Sequence, residues 1–236
     1  MKYIFRINIA TLFILAVFLL PSCSGRINAH VVQDGSGSLQ LQANLEPNMT
    51  ILLRSFGGLS GSQSGPLLDA AALNRSLQAA PGIASSVLRN SGQERIEGTV
   101  GINRISDLLN SGANRFVQYE AGASSGRLAV RLDRNIASQI LTQISPEAVD
   151  YLSALMAPVA TGEVLSRGQY LTLVESIYGR VLANEIAASR ITVVITIPGT
   201  VKSVRGGTYS GREARFDISL MDLLVLEQPL DYEIIW

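Results

Sequence analysis

The chain has 236 residues, 47% of them hydrophobic and only 16% charged, with 19 basic residues balancing 19 acidic ones. That composition excludes general disorder and supports a buried core. It also excludes the basic footprint that a nucleic-acid partner calls for.

The first element is a targeting segment. Lys2 and Arg6 supply a short positive region, and Ile7 to Leu20 is almost wholly apolar, Asn8 and Thr11 excepted. A basic start, an apolar run and small residues before a cut make a secretory signal peptide. It ends in Leu20-Pro21-Ser22-Cys23, and Cys23 is the only cysteine. Leucine three places before a cysteine, with a small residue between, resembles the lipobox of bacterial lipoproteins. The resemblance implies cleavage before Cys23, diacylation of its thiol and a mature domain, residues 23–236, held on the outer side of a membrane. Three other readings stay open: a retained membrane span, ordinary cleavage nearby, and pairing of Cys23 with another chain. A span needs about 20 apolar residues, and Arg6 and Asn8 interrupt this one. An odd cysteine in an exported chain calls for an explanation, and acylation supplies one.

Without residues 1–22 the chain keeps about 210 residues, enough for one large domain or two small ones. Loss of Lys2 and Arg6 leaves 17 basic residues against 19 acidic, and Lys202 is then the sole lysine. A single cysteine forms no internal disulfide, so the fold rests on core packing.

In chain order, Ile27, Ala29 and Val31, then Leu39, Leu41, Ala43 and Leu45, alternate around Asp34-Gly35-Ser36-Gly37. This predicts a β-hairpin. Pro47 to Phe56 reads as a short helix, and Gly57 to Gly65 as a mobile loop or lid. Pro66 opens a helical run through Leu67, Ala71, Leu73 and Leu77. Ala84, Val87 and Leu88 keep helical spacing, which predicts another short helix over Ile83 to Arg89. Ile96 to Ile102 is a strand whose Gly98 and Gly101 mark a bulge or close backbone approach. A helical turn follows at Ile105 to Leu109, ending at Gly112. Phe116–Glu120 and Arg127–Leu132 are strands about a glycine-serine turn.

Helices follow around Ile136 to Ile144 and from Ser145-Pro146-Glu147 to Pro158. The longest runs from a Ser166 cap to about Ala188. The last stretch is strands: Ile191 to Ile197, a Pro198-Gly199 turn, Val201 and Val204 leading into a Gly206-Gly207 hairpin turn, Phe216 to Leu220, and Leu230 to Trp236. Met221 to Leu226 is a short apolar turn. The expected fold is therefore α+β: one domain, a mostly antiparallel curved β-sheet packed against several α-helices.

Ile195-Thr196-Ile197-Pro198-Gly199-Thr200-Val201, then Gly206-Gly207 and strands ending in Trp236, resembles the closing segment of LppM-type bacterial lipoproteins. The hairpin just after Cys23 is similar as well. The resemblance implies a lipid-anchored envelope protein with a curved sheet, suspected of binding lipids. That family often adds a membrane helix near the C-terminus. No such run stands here, so Cys23 is the expected anchor.

Catalytic signals are few. Gly122-Ala123-Ser124-Ser125-Gly126 matches the letters of a nucleophile elbow, but the elbow needs a strand-to-helix turn and a histidine base. The flanking segments are strands and the only histidine is His30. A lone histidine assembles none of the usual metal sites and reads as a residue on a wet strand face. Asp217, Asp222, Glu227, Asp231 and Glu233 alternate with apolar residues, as solvated strand faces do, so no metal is expected. No phosphate loop or dinucleotide fingerprint is present, and no cofactor is expected.

The sequence therefore leads to a non-enzymatic, lipid-anchored envelope protein that binds a lipid or other apolar ligand. The expected ligand-binding residues are Val193, Ile195, Phe216 and Ile218. The rival is a structural lipoprotein that docks an envelope partner. An enzyme using Ser124 or His30 ranks last.

Overall fold

Two strands rich in alternating apolar residues, β1 (Cys23–Val31) and β2 (Gly37–Leu45), form the hairpin that the sequence predicts, with Cys23 opposite Leu45 and Val31 opposite Gly37. The computed structural model describes residues 23–58, 67–110, 116–122, 125–142 and 146–236. Residues 1–22, expected as a signal peptide, lie outside them, as do 59–65 of the loop expected over Gly57 to Gly65, and Pro66, Gly112, Ser124 and Ser145; Gly57 and Gly58 end a helix instead.

Helix α1 (Pro47–Gly58) follows the hairpin, and α2 (Ala70–Gln78) begins where Asp69 accepts from the amides of Ala71 and Ala72. Next come β3 (Ile83–Asn90), β4 (Arg95–Ile102), α3 (Ile105–Asn110), β5 (Val117–Ala121) and β6 (Gly126–Leu132). Five helices then run in series: α4 (Arg134–Leu141), α5 (Pro146–Ala154), α6 (Pro158–Thr161), α7 (Arg167–Tyr178) and α8 (Arg180–Ala188). The chain closes with β7 (Arg190–Thr196), β8 (Ser203–Arg205), β9 (Thr208–Ser210), β10 (Glu213–Ser219), α9 (Leu220–Val225) and β11 (Leu230–Ile235).

The fold class is α+β, and the strands divide over two sheets. The larger has the order β3-β4-β2-β1-β7-β10-β9, and the smaller β5-β6-β11-β8. Every pairing is antiparallel except β1 with β7, where Gly25 lies opposite Ile191 and His30 opposite Thr196. The inner faces of the two sheets meet at Phe216 and Tyr232, whose rings make an edge contact with centroids 5.4 Å apart. One hydrophobic core runs from Ile27 to Trp236 and takes residues from both sheets and from helices α1, α2 and α4 to α9. Long-range polar contacts fix the helices on it. Glu185 of α8 accepts from the Asn48 and Met49 amides and from the Asn48 side chain, placing an anion at the N-terminus of α1. Arg134 donates to the carbonyls of Val225 and Leu226 at the C-terminal end of α9 and of Glu163 just beyond α6.

Three expectations are corrected. Ile83–Asn90 is a strand, not a helix: Ser86 and Leu88 point inward while Val87 stays exposed, a period of two. The long helix from Ser166 is broken at Gly179, whose φ of +88° closes α7 and opens α8. Its Ser166–Gln169 capping box is present as a reciprocal pair. Gly206-Gly207 does not turn a hairpin, because β8 pairs with β11 in the smaller sheet and β9 with β10 in the larger. The glycines are the corner where the chain passes from one sheet to the other.

Candidate functional site

The expected ligand residues share one face of the larger sheet. Phe216 of β10 lies opposite Val193 of β7, with Ile195 and Ile218 on the neighbouring rungs. Val193 and Phe216 are buried, and Ile195 and Ile218 are half-buried against the core. This face is therefore already packed by the protein's own side chains. Ile195 and Ile218 are the two that solvent still touches.

The opposite face is open. Its side chains stand in two registered rows across six strands. One row is Arg89, Glu97, Gln42, Arg26, Thr192 and Asp217; the other is Val87, Thr99, Gln40, Asn28, Val194 and Arg215. A groove of about 510 Å³ lies here over β3, β4, β2 and β1. Ion pairs close both ends of the rows. Arg89 donates to Glu97 at 2.8 and 3.1 Å, and Arg215 to Asp217 at 2.8 and 3.0 Å. Asp217 also accepts from the Thr192 hydroxyl at 2.6 Å. These hydrogen bonds from Arg215 and Thr192 hold the Asp217 carboxyl below its ordinary range, and the Arg26 charge adds a smaller pull. Between the ends, Asn28, Gln40, Gln42 and Thr99 make no side-chain hydrogen bond among the described residues. The middle of the groove thus offers amide donors and acceptors, one hydroxyl and the Arg26 guanidinium to whatever lies over it.

Sequence reasoning missed this groove. Its signal is the choice of outward residues in the first hairpin: Arg26 and Asn28 on β1, Gln40 and Gln42 on β2.

The other sequence candidates are not drawn together. His30 is exposed at the far end of β1 from Cys23, opposite Ser38 and Thr196. Gly122–Gly126 joins the antiparallel strands β5 and β6, and Ser124 itself is not among the described residues. The five acids of the last stretch are more than solvated: four are paired with arginine side chains and Glu227 with a backbone amide. Asp217 binds Arg215, Asp222 binds Arg167, and Asp231 and Glu233 bind Arg205, with Arg127 also 2.6 Å from Glu233. Glu227 accepts from the Arg167 amide. No group of three metal-ligating side chains stands among the described residues.

Cys23 is the first residue of β1 and the partner of Leu45, so the segment 1–22 joins the fold with no spacer. No helix among the described residues is long and apolar enough to cross a membrane.

No protein-family model and no curated protein matches the chain. Among solved structures, the NMR structure of the folded domain of Mycobacterium tuberculosis LppM is similar in outline over 91% of this chain and 88% of that one, with 12% identity and a TM-score of 0.39. The likeness to LppM is therefore weak.

Proposed function

We propose that the chain is a lipid-anchored protein of a bacterial envelope that works by binding and not by catalysis. The observation that carries the reading is the position of Cys23: the cysteine of the lipobox-like stretch is also the first residue of a strand inside the larger sheet. An acyl anchor there holds the domain directly on the membrane. Mass spectrometry of the mature N-terminus tests it. The expected result is an N-terminal Cys23 carrying acyl chains, with Cys23→Ser released or left unprocessed. A different N-terminus without acyl mass overturns the reading.

For the binding itself, the open polar groove supports docking of an envelope partner. Its central side chains are unpaired, whereas the apolar faces of both sheets are turned to the core. The half-burial of Ile195 and Ile218 supports the second reading, an apolar ligand entering between sheet and helices. Native mass spectrometry on protein released from its anchor separates the two. A stoichiometric lipid that is lost on placing a bulky polar residue at Ile195 selects the apolar ligand, and a ligand-free mass selects docking.

A further inference from the structure

The end of the larger sheet that carries Cys23 has its own surface. Arg190 opens β7 one residue before Ile191, the partner of Gly25, and lies exposed at this end. Arg26 follows Cys23 by three residues and is exposed on the outer face. Helix α1 starts at Pro47, two residues after Leu45, the partner of Cys23. Two extended residues and one helical turn put the Ile51 backbone within about 13 Å of Leu45. Met49 and Thr50 are buried, but Ile51 is 66% exposed, and Pro47, four residues before it, is exposed on the same side of the helix. A large aliphatic side chain left this open, close to an acylated residue with no spacer, has an apolar neighbour at hand in the bilayer.

We propose that this end of the sheet is a bilayer contact surface, with Pro47 and Ile51 seated at the boundary of headgroups and acyl chains and Arg26 and Arg190 beside lipid phosphates. The proposal rests on acylation at Cys23. It goes beyond anchoring because it sets the orientation: β1 stands on the membrane by its first residue, and the groove opens sideways from the membrane surface with its Arg26 end lowest. The far end is marked by Tyr209, which lines up through Ala214 and Ile195 with Ala29. Six residues of strand set it about 20 Å beyond Cys23 along the strand direction.

Acylation consumes the only thiol, so one introduced cysteine gives one labelling site. Full-length acylated protein carrying Ile51→Cys, Pro47→Cys or Tyr209→Cys is labelled with an environment-sensitive nitrobenzoxadiazole dye. It is then placed in vesicles of equal parts phosphatidylcholine and phosphatidylglycerol. The labels at 51 and 47 should emit to the blue of the label at 209, with about twofold stronger quenching by nitroxide lipids, as interfacial residues show. Equal quenching at all three positions, on protein whose mass includes the acyl chains, overturns the contact surface and leaves the anchor standing. Protein without acyl mass overturns both.

Discussion

Asn74 of α2 stands in for a missing strand beside Leu88. Its carboxamide accepts the Leu88 amide hydrogen at 2.9 Å and donates to the Leu88 carbonyl at 2.8 Å, and it also accepts the Ser86 hydroxyl at 2.6 Å. Strand β3 is an edge of the larger sheet, and an unpaired edge invites pairing with another chain. Amide side chains of α2 cover it at its buried point, Asn74 at Leu88 and Gln78 at the Ser86 carbonyl.

Asn74→Ala leaves both Leu88 backbone groups without a partner. The expected cost is about 2 kcal/mol, read as a Tm lowered by about 5 °C for a chain of this size. Light scattering on the variant should also rise with concentration, because the opened edge is self-complementary. A variant with unchanged Tm and scattering removes Asn74 from this role.

Gly98→Ala tests the close approach of β3 and β4. A Cβ at Gly98 would lie 2.1 Å from the Val87 carbonyl oxygen, and φ there is +155°. Backbone faces the added carbon, so no side chain can swing aside. The expected loss is about 3 kcal/mol or more, and chemical denaturation measures it. The same change at Gly168, where a Cβ meets nothing within 4 Å, should be neutral or stabilising within the first turn of α7.

Deletion of residues 230–236 should abolish cooperative unfolding. β11 pairs with both β6 and β8 in the smaller sheet. Trp236 exchanges two backbone hydrogen bonds with Gly126, at 2.9 and 3.1 Å, and its side chain is buried. Without β11 the four-stranded sheet falls into a separate β5–β6 hairpin and an unpaired β8, and a lone hairpin is marginal in water. A truncated chain with a sharp melt at the parent temperature would show that β11 is not integral.

Asp217 gives a pH signature. Its carboxyl is held below the ordinary value of 3.8 by Arg215 and Thr192. A depressed folded-state pKa stabilises the native chain above the unfolded value, and the gain is lost as pH falls through the lower folded value. The pair is half-exposed, so the gain is about 0.5 kcal/mol after screening. Asp217→Asn should therefore lower stability slightly at pH 7 and flatten its fall below pH 3.8. Urea titrations at several pH values compare the two slopes.

Local chemistry made much of this fold legible. The alternation of Ile191, Val193 and Ile195, or of Leu230, Tyr232 and Ile234, favours strand at every step, and Ser166 announces a helix start. What was misread depends on distant partners. Ala84, Val87 and Leu88 satisfy helical spacing, and only β4 and the Asn74 amide make Ile83–Asn90 a strand. Gly206-Gly207 has hairpin chemistry, but β10 and β11 claim the two flanking strands for different sheets. The parallel pairing of β1 with β7 has no local trace. At the candidate site, the stretch that ends at Cys23 is contiguous, so a single sequence can suggest it. The groove was not visible, since its polar rows take one or two residues from each of six strands.

Strand β1 lies between β2 and β7, and β7 begins at Arg190. A chain that emerges N-terminus first can close its opening hairpin at once. The other edge of β1 stays empty until more than two-thirds of the chain has followed. Pairings of such long sequence separation make folding slow. Until β7 arrives, β1 has one flank bare, an edge open to pairing with other chains and in need of a holding chaperone. Mutations that weaken β7 would then be felt first as degradation of the unfinished chain, before any loss in the finished protein.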